Sequence, residues 1–161
     1  MIRPVKLSDA ESICNIYNEY VTNTRISFEE RPVTVEEMEN RIKKITEQYP
    51  WLVYEESNKV IGYTYASKWK ERPAYRHSVE TGIYIASNHR GKGIGSQLKA
   101  ELIKELHSLS IHCIICGIAL PNPASIELCE KFGFQKVAQF KEVGFKLDKW
   151  VDVGYWELVL Q

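Results

Sequence analysis

The sequence of 161 residues predicts a mixed α/β fold, a sheet with helices packed on its faces. Three observations lead there. Residues Ser78 to Ile85 alternate, with Val79, Thr81, Ile83 and Ile85 on one face and Glu80, Gly82 and Tyr84 on the other, the period-two pattern of a strand. Two segments open on capping boxes and continue with apolar residues at helical spacing. Between Ser78 and Ala119 a strand, a glycine-rich turn, a helix and a second strand follow one another, which makes a strand-helix-strand unit.

In chain order, Ile2 to Val5 reads as a short first strand. Ser8-Asp9-Ala10-Glu11 is the first capping box, and Ile13, Ile16, Tyr17 and Tyr20 form the apolar stripe of the helix behind it. Thr24 to Pro32 is a polar loop containing Phe28. Thr34-Val35-Glu36-Glu37 starts a second helix bearing Met38, Ile42 and Ile45, which stops before Pro50. Trp51 to Tyr54 and Val60 to Trp69, rich in β-branched and aromatic residues, form a hairpin about Ser57-Asn58-Lys59. Lys70 to Arg76 is a charged, proline-containing loop.

After the alternating strand and the glycine turn, Ile94, Leu98, Leu102, Leu106 and Leu109 mark the buried side of a helix of about four turns. The apolar run Ile111 to Ala119 reads as a buried strand. Leu120-Pro121-Asn122-Pro123 leads into a short helix with Ile126, Leu128 and Phe132, ended by Gly133 as a C-cap. Lys136 to Phe140 and Val151 to Leu160 are the last strands. The order β-α-α-β-β-β-α-β-α-β-β contains no repeat or linker, so residues 1–161 are expected to form one domain.

Composition narrows the function. Lys+Arg and Asp+Glu are equal at 21 each, so net charge offers no attraction towards nucleic acid or an anionic membrane, and any anion site must be local. No run approaches the ~20 apolar residues of a membrane span. Met1-Ile2-Arg3-Pro4 enters domain-like sequence without a signal-peptide core, and the expected compartment is the cytoplasm. Cys14, Cys113, Cys116 and Cys129 lack the spacing of a disulfide framework and are expected to be free thiols. Cys113 and Cys116 match C-x-x-C, yet residues three apart on a strand face opposite ways, so both read as small core residues. His77, His89, His107 and His112 form no metal constellation, and no metal is expected.

The segment Asn88-His89-Arg90-Gly91-Lys92-Gly93-Ile94-Gly95-Ser96 lies directly between a strand and a helix. A helix N-terminus offers free N–H groups and an effective charge of about +0.5, and glycine lets a phosphate approach the backbone. The site suits a pyrophosphate. A P-loop would need Ser or Thr after Gly91-Lys92, where Gly93 stands, and the dinucleotide fingerprint would need glycine at Ser96.

Arg90, Gly93 and Gly95 fill the defined positions of [Q/R]-x-x-G-x-[G/A], and here the chain resembles the GCN5-related N-acetyltransferases (GNAT). The Asn-led loop and short helix from Asn122 to Phe134 is a second element of that resemblance. More narrowly, the chain resembles the phosphinothricin and methionine sulfoximine acetyltransferase branch. That resemblance rests on Arg72-Pro73-Ala74-Tyr75-Arg76 with Val79-Glu80, on Leu120-Pro121-Asn122, on Glu142 to Lys146, and on Trp150 to Trp156. It covers essentially the whole chain. It implies a mostly antiparallel twisted sheet with helices on both faces, acetyl-CoA as co-substrate, a small-molecule amine as acceptor, and a homodimer.

The resemblance also implies roles. Arg90, Gly91, Lys92, Gly93, Ile94, Gly95 and Ser96 would hold the pyrophosphate, with Asn122 and Ser125 along the pantetheine arm. Ile83, Tyr84 and Ile85 would present backbone to the same arm, and the N–H of Ile85 is the expected oxyanion donor. Glu80 is the expected general base, directly or through water. A carboxylate of ordinary pKa ~4.3 is a weak base for an ammonium group, so partial burial beside Tyr84 and Trp69 is expected to raise it. Cys129 stands where many relatives carry Tyr, and the narrower branch often His, as acid for the leaving thiol; it reads either as that acid or as helix core. Arg72, Arg76 and Lys146 are candidate partners for acceptor oxyanions, with Phe28, Glu29 and Tyr75 walling the pocket. The readings left open are a polyamine, peptide N-terminus or antibiotic acceptor, a non-catalytic acyl-CoA sensor, and a nucleotide-binding module.

Overall fold

In the computed structural model, which describes residues Met1–Gln161, the strands are β1 (Ile2–Pro4), β2 (Trp51–Glu56), β3 (Lys59–Lys68), β4 (Ser78–Ile85), β5 (Cys113–Ala119), β6 (Gln135–Lys146) and β7 (Lys149–Val159). The helices are α1 (Ala10–Asn23), α2 (Val35–Thr46), α3 (Ile94–Ser108) and α4 (Pro123–Lys131). The strands make one sheet in the order β1-β2-β3-β4-β5-β7-β6. Only β4 and β5 run parallel, because α3 carries the chain back between them; every other neighbouring pair is antiparallel.

Alternation along the strands divides the sheet between two cores. Ala66, Val79, Ile114, Cys116, Ile118 and Trp156 face the layer formed by α3 and α4, and meet Leu98, Leu102, Leu106 and Cys129. Trp51, Val53 and Tyr63 face the opposite layer, where α1 and α2 contribute Ile13, Tyr17, Tyr20, Met38 and Ile42. Helices therefore cover both faces. The expected register of β4 is met: Ile83 and Ile85 pack with the first core, Tyr84 with the second.

Local signals match the elements closely. Thr34 caps α2 by accepting from the N–H of Glu37, whose carboxylate accepts from the N–H of Thr34 at 3.0 Å. The first helix starts otherwise than expected. Ser8 lies in a 3-10 turn, Leu7–Asp9, and the Asp9 carboxylate accepts from the N–H of Lys6 at 2.7 Å and from both terminal nitrogens of Arg3. Leu109 is also corrected: it follows the end of α3 and is 52% exposed, while Lys99, one turn past Gly95 on the sheet-facing side, is 5% exposed. The last hairpin is longer than the sequence implies. Residues 141–146 continue β6 with an inverted alternation: the apolar Val143 and Phe145 are exposed, while Gly144 and Lys146 are buried.

Candidate active site

The site begins where β4 and β5 part. They pair only at Ser78–Cys113, Val79–Ile114 and Glu80–Ile115, and diverge beyond. The N–H of Ala86 bonds the carbonyl of Ile61, and the Gly82 carbonyl accepts the Thr64 hydroxyl at 2.8 Å, so even-numbered residues of β4 turn their backbone groups to β3. Thr81, Ile83 and Ile85 consequently turn theirs into the gap. The Tyr20 hydroxyl donates to the Ile85 carbonyl at 2.6 Å, which leaves N–H groups to meet an incoming amide chain.

A groove leads from the gap to the first turn of α3. Gly91 and Gly93 have φ of 74° and 80°, left-handed backbone that favours glycine, and Gly93 is the N-cap of α3. A Cβ on either would meet nothing within 4 Å, so their conformation, not crowding, requires the glycines. Arg90 lies with its guanidinium carbon 4.8 Å from the Tyr20 ring centroid, Lys92 is exposed, and the Ser96 hydroxyl accepts from Lys131 at 3.0 Å. At Gly95 a Cβ would meet Leu128 of α4 at 3.4 Å, an ordinary van der Waals contact. Ile83, Asn122, Ser125 and Leu128 line both the groove and the gap. Asn122 is also the α4 cap, accepting from the N–H of Ser125 at 3.3 Å. Open donors at a helix start, continuous with an unpaired strand edge, fit a pyrophosphate followed by an amide-bearing arm.

Glu80 stands at the apex of the gap on the other face of the sheet. Burial raises its carboxyl above the ordinary range, the nearby Cys116 adds to this, and Lys70 opposes it. None of the six salt bridges includes it. Arg76 donates to the Pro73 carbonyl and makes no ion pair with Glu80. Tyr65 and Tyr155 feel the Glu80 charge, and Trp69 packs edge-on against Tyr155. A Cβ at Gly117 would lie 3.1 Å from a Glu80 carboxylate oxygen and 3.1 Å from the Tyr155 ring, so this glycine makes room for the carboxylate over β5. Gly117→Ala is expected to push the Glu80 carboxylate or the Tyr155 ring aside by tenths of an ångström and to cost about 1–3 kcal/mol of stability, which a thermal melt checks.

The acceptor side of Glu80 is lined by Tyr17, Ile26, Phe28, Glu29, Tyr84 and Tyr155, among others. The loop carrying Ile26 to Glu29 is tied to the β6–β7 hairpin: Arg25 donates to the carbonyls of Lys146 and Leu147, and the Lys146 amine donates to the Ser27 carbonyl at 2.6 Å. The Phe28 ring occupies the space a Cβ on Gly144 would need, at 2.4 Å. Glu29 accepts from Tyr17 and pairs with Arg41, which holds its carboxyl below the usual range.

Several expected residues fall elsewhere. Lys146 is 3% exposed and bonded to carbonyls, so in this fold it holds the loop and does not face the pocket. Arg72, Tyr75 and Arg76 are exposed around a 3-10 turn, Pro73–Tyr75, and line none of the groove, gap or acceptor surfaces. Ile85 lies five residues from Glu80, about 16 Å along an extended strand, and Ile83, nearer the apex, shares the same odd-numbered backbone edge. Cys129 is 3% exposed and shares the core between β5 and α4 with Cys116, both lining the gap, a juxtaposition that sequence reading missed. All four cysteines are free, and no group of three or more His, Cys, Asp or Glu is arranged to hold a metal. No helix is long and apolar enough to cross a membrane.

Comparison with known proteins places these features. The model of the acetyltransferase (GNAT) domain matches residues 2–154. The L-methionine sulfoximine/L-methionine sulfone acetyltransferase of Salmonella typhimurium is 34% identical over 163 residues, covering 99% of this chain and 94% of the relative. The structure of a GNAT phosphinothricin acetyltransferase from Sinorhizobium meliloti in complex with AcCoA superposes with a TM-score of 0.96 at 38% identity, covering 99% of this chain and 88% of that one. A ribosomal-protein-alanine N-acetyltransferase structure from Brucella melitensis superposes with a TM-score of 0.97 at 35% identity, with 99% of each chain covered.

Proposed function

The chain belongs to the GNAT acetyltransferase family, and from that premise we propose that it moves the acetyl group of acetyl-CoA to the amino group of a small amino-acid-like acceptor, of the phosphinothricin, methionine sulfoximine or methionine sulfone type. The carrying observation is Glu80, a half-buried carboxyl of raised pKa, free of salt bridges, at the apex of the β4–β5 gap. The acceptor class is supported by what the Salmonella and Sinorhizobium relatives are named for.

Acetyl-CoA supplies an activated thioester carbonyl. The start of α3 holds its pyrophosphate by backbone N–H groups and the helix dipole. The odd-numbered residues of β4 pair with its arm, and the N–H of Ile83 donates to the oxygen as charge develops there. Glu80 takes a proton from the attacking nitrogen, directly or through one water, and its raised pKa brings it closer to neutral pH, where such transfer is efficient. Tyr17, Phe28 and Tyr155 bound the acceptor. We place the whole chain, 1–161, in one cytoplasmic domain. A second copy would cover the exposed Val143, Phe145 and Trp150 of the β6–β7 hairpin.

A peptide N-terminus as acceptor is the second reading, favoured by the likeness to the Brucella structure. The deciding experiment is acetyl-CoA-dependent thiol release with phosphinothricin, methionine sulfoximine, methionine sulfone and a peptide beginning with alanine, with product mass measured. Acetylation of the amino-acid analogues and silence with the peptide is expected. The reverse pattern overturns the acceptor assignment in favour of the peptide.

A further inference from the structure

The pairing of β4 with β5 stops at Glu80–Ile115, so the next residue on each strand, Thr81 and Cys116, is the first inside the gap. The Thr81 hydroxyl lies 3.1 Å from the Cys116 sulfur. Cys116 faces the layer of α3 and α4, and there Lys99 of α3 donates to its sulfur at 3.4 Å, with the lysine nitrogen 4.4 Å from the centroid of the Phe134 ring. No salt bridge reaches Lys99, although the residue is 5% exposed. A buried ammonium without a carboxylate is costly, and the partner bonded to it that can carry a negative charge is the Cys116 thiol. Thr81, Ile83, Lys99 and Cys116 line one cavity, which Ile83 and Asn122 join to the groove at the start of α3. An arm that enters by that groove and runs along Ile85 and Ile83 arrives next at Thr81, and with it at Cys116.

We propose that the chain acetylates itself: without an acceptor amine, the acetyl group of acetyl-CoA passes to the Cys116 sulfur and from there to the Lys99 amine. This rests on the acetyl-transfer reading above. In the first step the Cys116 thiolate bonds to the thioester carbon, the bond from that carbon to the coenzyme sulfur breaks, and its electron pair leaves on the coenzyme as a thiolate, which solvent protonates. In the second, the Lys99 nitrogen, having given one proton to solvent, bonds to the same carbon. The bond to Cys116 breaks, its electron pair restores the Cys116 thiolate, and the new amide nitrogen gives a second proton to solvent. The balance is ammonium plus thioester giving amide, coenzyme thiol and one proton.

Each step suits its place. The first exchanges one thioester for another and needs a thiolate, which an adjacent cation favours. The second needs the amine held against the sulfur, and 3.4 Å falls in the near-attack range of about 3–3.5 Å. It also replaces a buried charge by a neutral amide. The protonation states agree with the geometry: the neighbouring Cys129 thiol, then the Lys99 charge and the Thr81 hydroxyl, hold the Cys116 thiol below the ordinary range against the effect of burial. Cys129 lines the same cavity, but Cys116 and burial push its thiol up, so it stays protonated and is the poorer nucleophile.

The test incubates the full chain with acetyl-CoA and no acceptor, follows thiol release and intact mass, and maps acetylated peptides. The parent is expected to gain an acetyl group on Lys99 at least about tenfold faster than on the exposed Lys92. Lys99→Arg keeps a positive charge beside the sulfur but has no amine to acylate, so its acetyl group should stop on Cys116 as a thioester that hydroxylamine removes. Cys116→Ala should slow acetylation of Lys99 by about tenfold or more. The parent's peptide map identifies the modified residue without any variant. Acetyl groups on exposed lysines alone, or none, in a parent that acetylates an added acceptor would overturn self-acetylation and leave the acetyl-transfer reading standing. Acetylation of Lys99 at the parental rate in Cys116→Ala would overturn the relay through sulfur. A parent that releases no thiol with or without an acceptor would overturn both readings.

Discussion

Replacing Glu80 with Gln is expected to lower kcat by about 10²- to 10⁴-fold, the range in which a positioned general base contributes. The KM for acetyl-CoA should stay within about twofold, since the proposed coenzyme site lies at the start of α3 and along β4. The pH profile separates this role from a structural one. Burial raises the Glu80 pKa in the folded protein, and only the deprotonated carboxyl accepts a proton. Parental kcat/KM should fall as pH drops through that raised value, and this limb should vanish in Glu80→Gln. Stability moves oppositely. Between the ordinary and the raised pKa the folded state binds more protons than the unfolded one, so stability falls as pH rises through that window. At neutral pH the Gln variant should therefore melt no lower than the parent. A variant that is both inactive and less stable would point to a structural role, and unchanged turnover would remove Glu80 from the mechanism.

Trp156→Ala is expected to destabilise the fold by about 3–5 kcal/mol, the cost of truncating a large buried aromatic. The side chain is 2% exposed and sits on β7 opposite Cys116, with its ring nitrogen donating to Glu130 of α4 at 3.3 Å. Gly154, two residues earlier on the same face, shows how tightly the ring is held: a Cβ there would come within 2.5 Å of it. In a chain of this size the loss corresponds to roughly 6–20 °C in Tm. Leu109→Ala is the internal control. Leu109 continues the spacing of the α3 stripe but is 52% exposed, and its truncation should change stability by less than about 0.5 kcal/mol. Thermal melts of both variants decide the matter, and equal losses would contradict the packing described.

What could be read without coordinates was what local physics controls. The Thr34 box, the stripe on α1, the alternation of β4 and the glycine turn each depend on residues within a few positions of one another, through turn hydrogen bonds and the 3.6 and 2.0 periods. The face of Glu80 followed from that alternation, and the anion site followed from glycines standing before a helix. Lys99 was within reach by the same logic: Gly95, Lys99, Leu102 and Leu106 share one side of α3, but a lysine on such a face reads as a side chain that will bend out to solvent.

The remainder depended on long-range register. Lys146 looked like an exposed cation because the apolar Val143 and Phe145 beside it mark the opposite face as the buried one, and it is buried only because the loop carrying Ser27 folds over the hairpin. Arg72 and Arg76 precede Glu80 closely in sequence, yet a 3-10 turn carries them outward. Cys116 read as a core residue and Cys129 as either an acid or core, each by itself; the crossover through α3 and the placing of α4 against β5 brought them together with Lys99. The sequence by itself determined most of the elements, the glycine turn and the face on which Glu80 stands, because those follow from neighbours along the chain. Only the tertiary structure decided where β4 and β5 part and which buried groups meet there, because contacts between residues far apart in sequence are set by how the elements pack, and no local pattern encodes that.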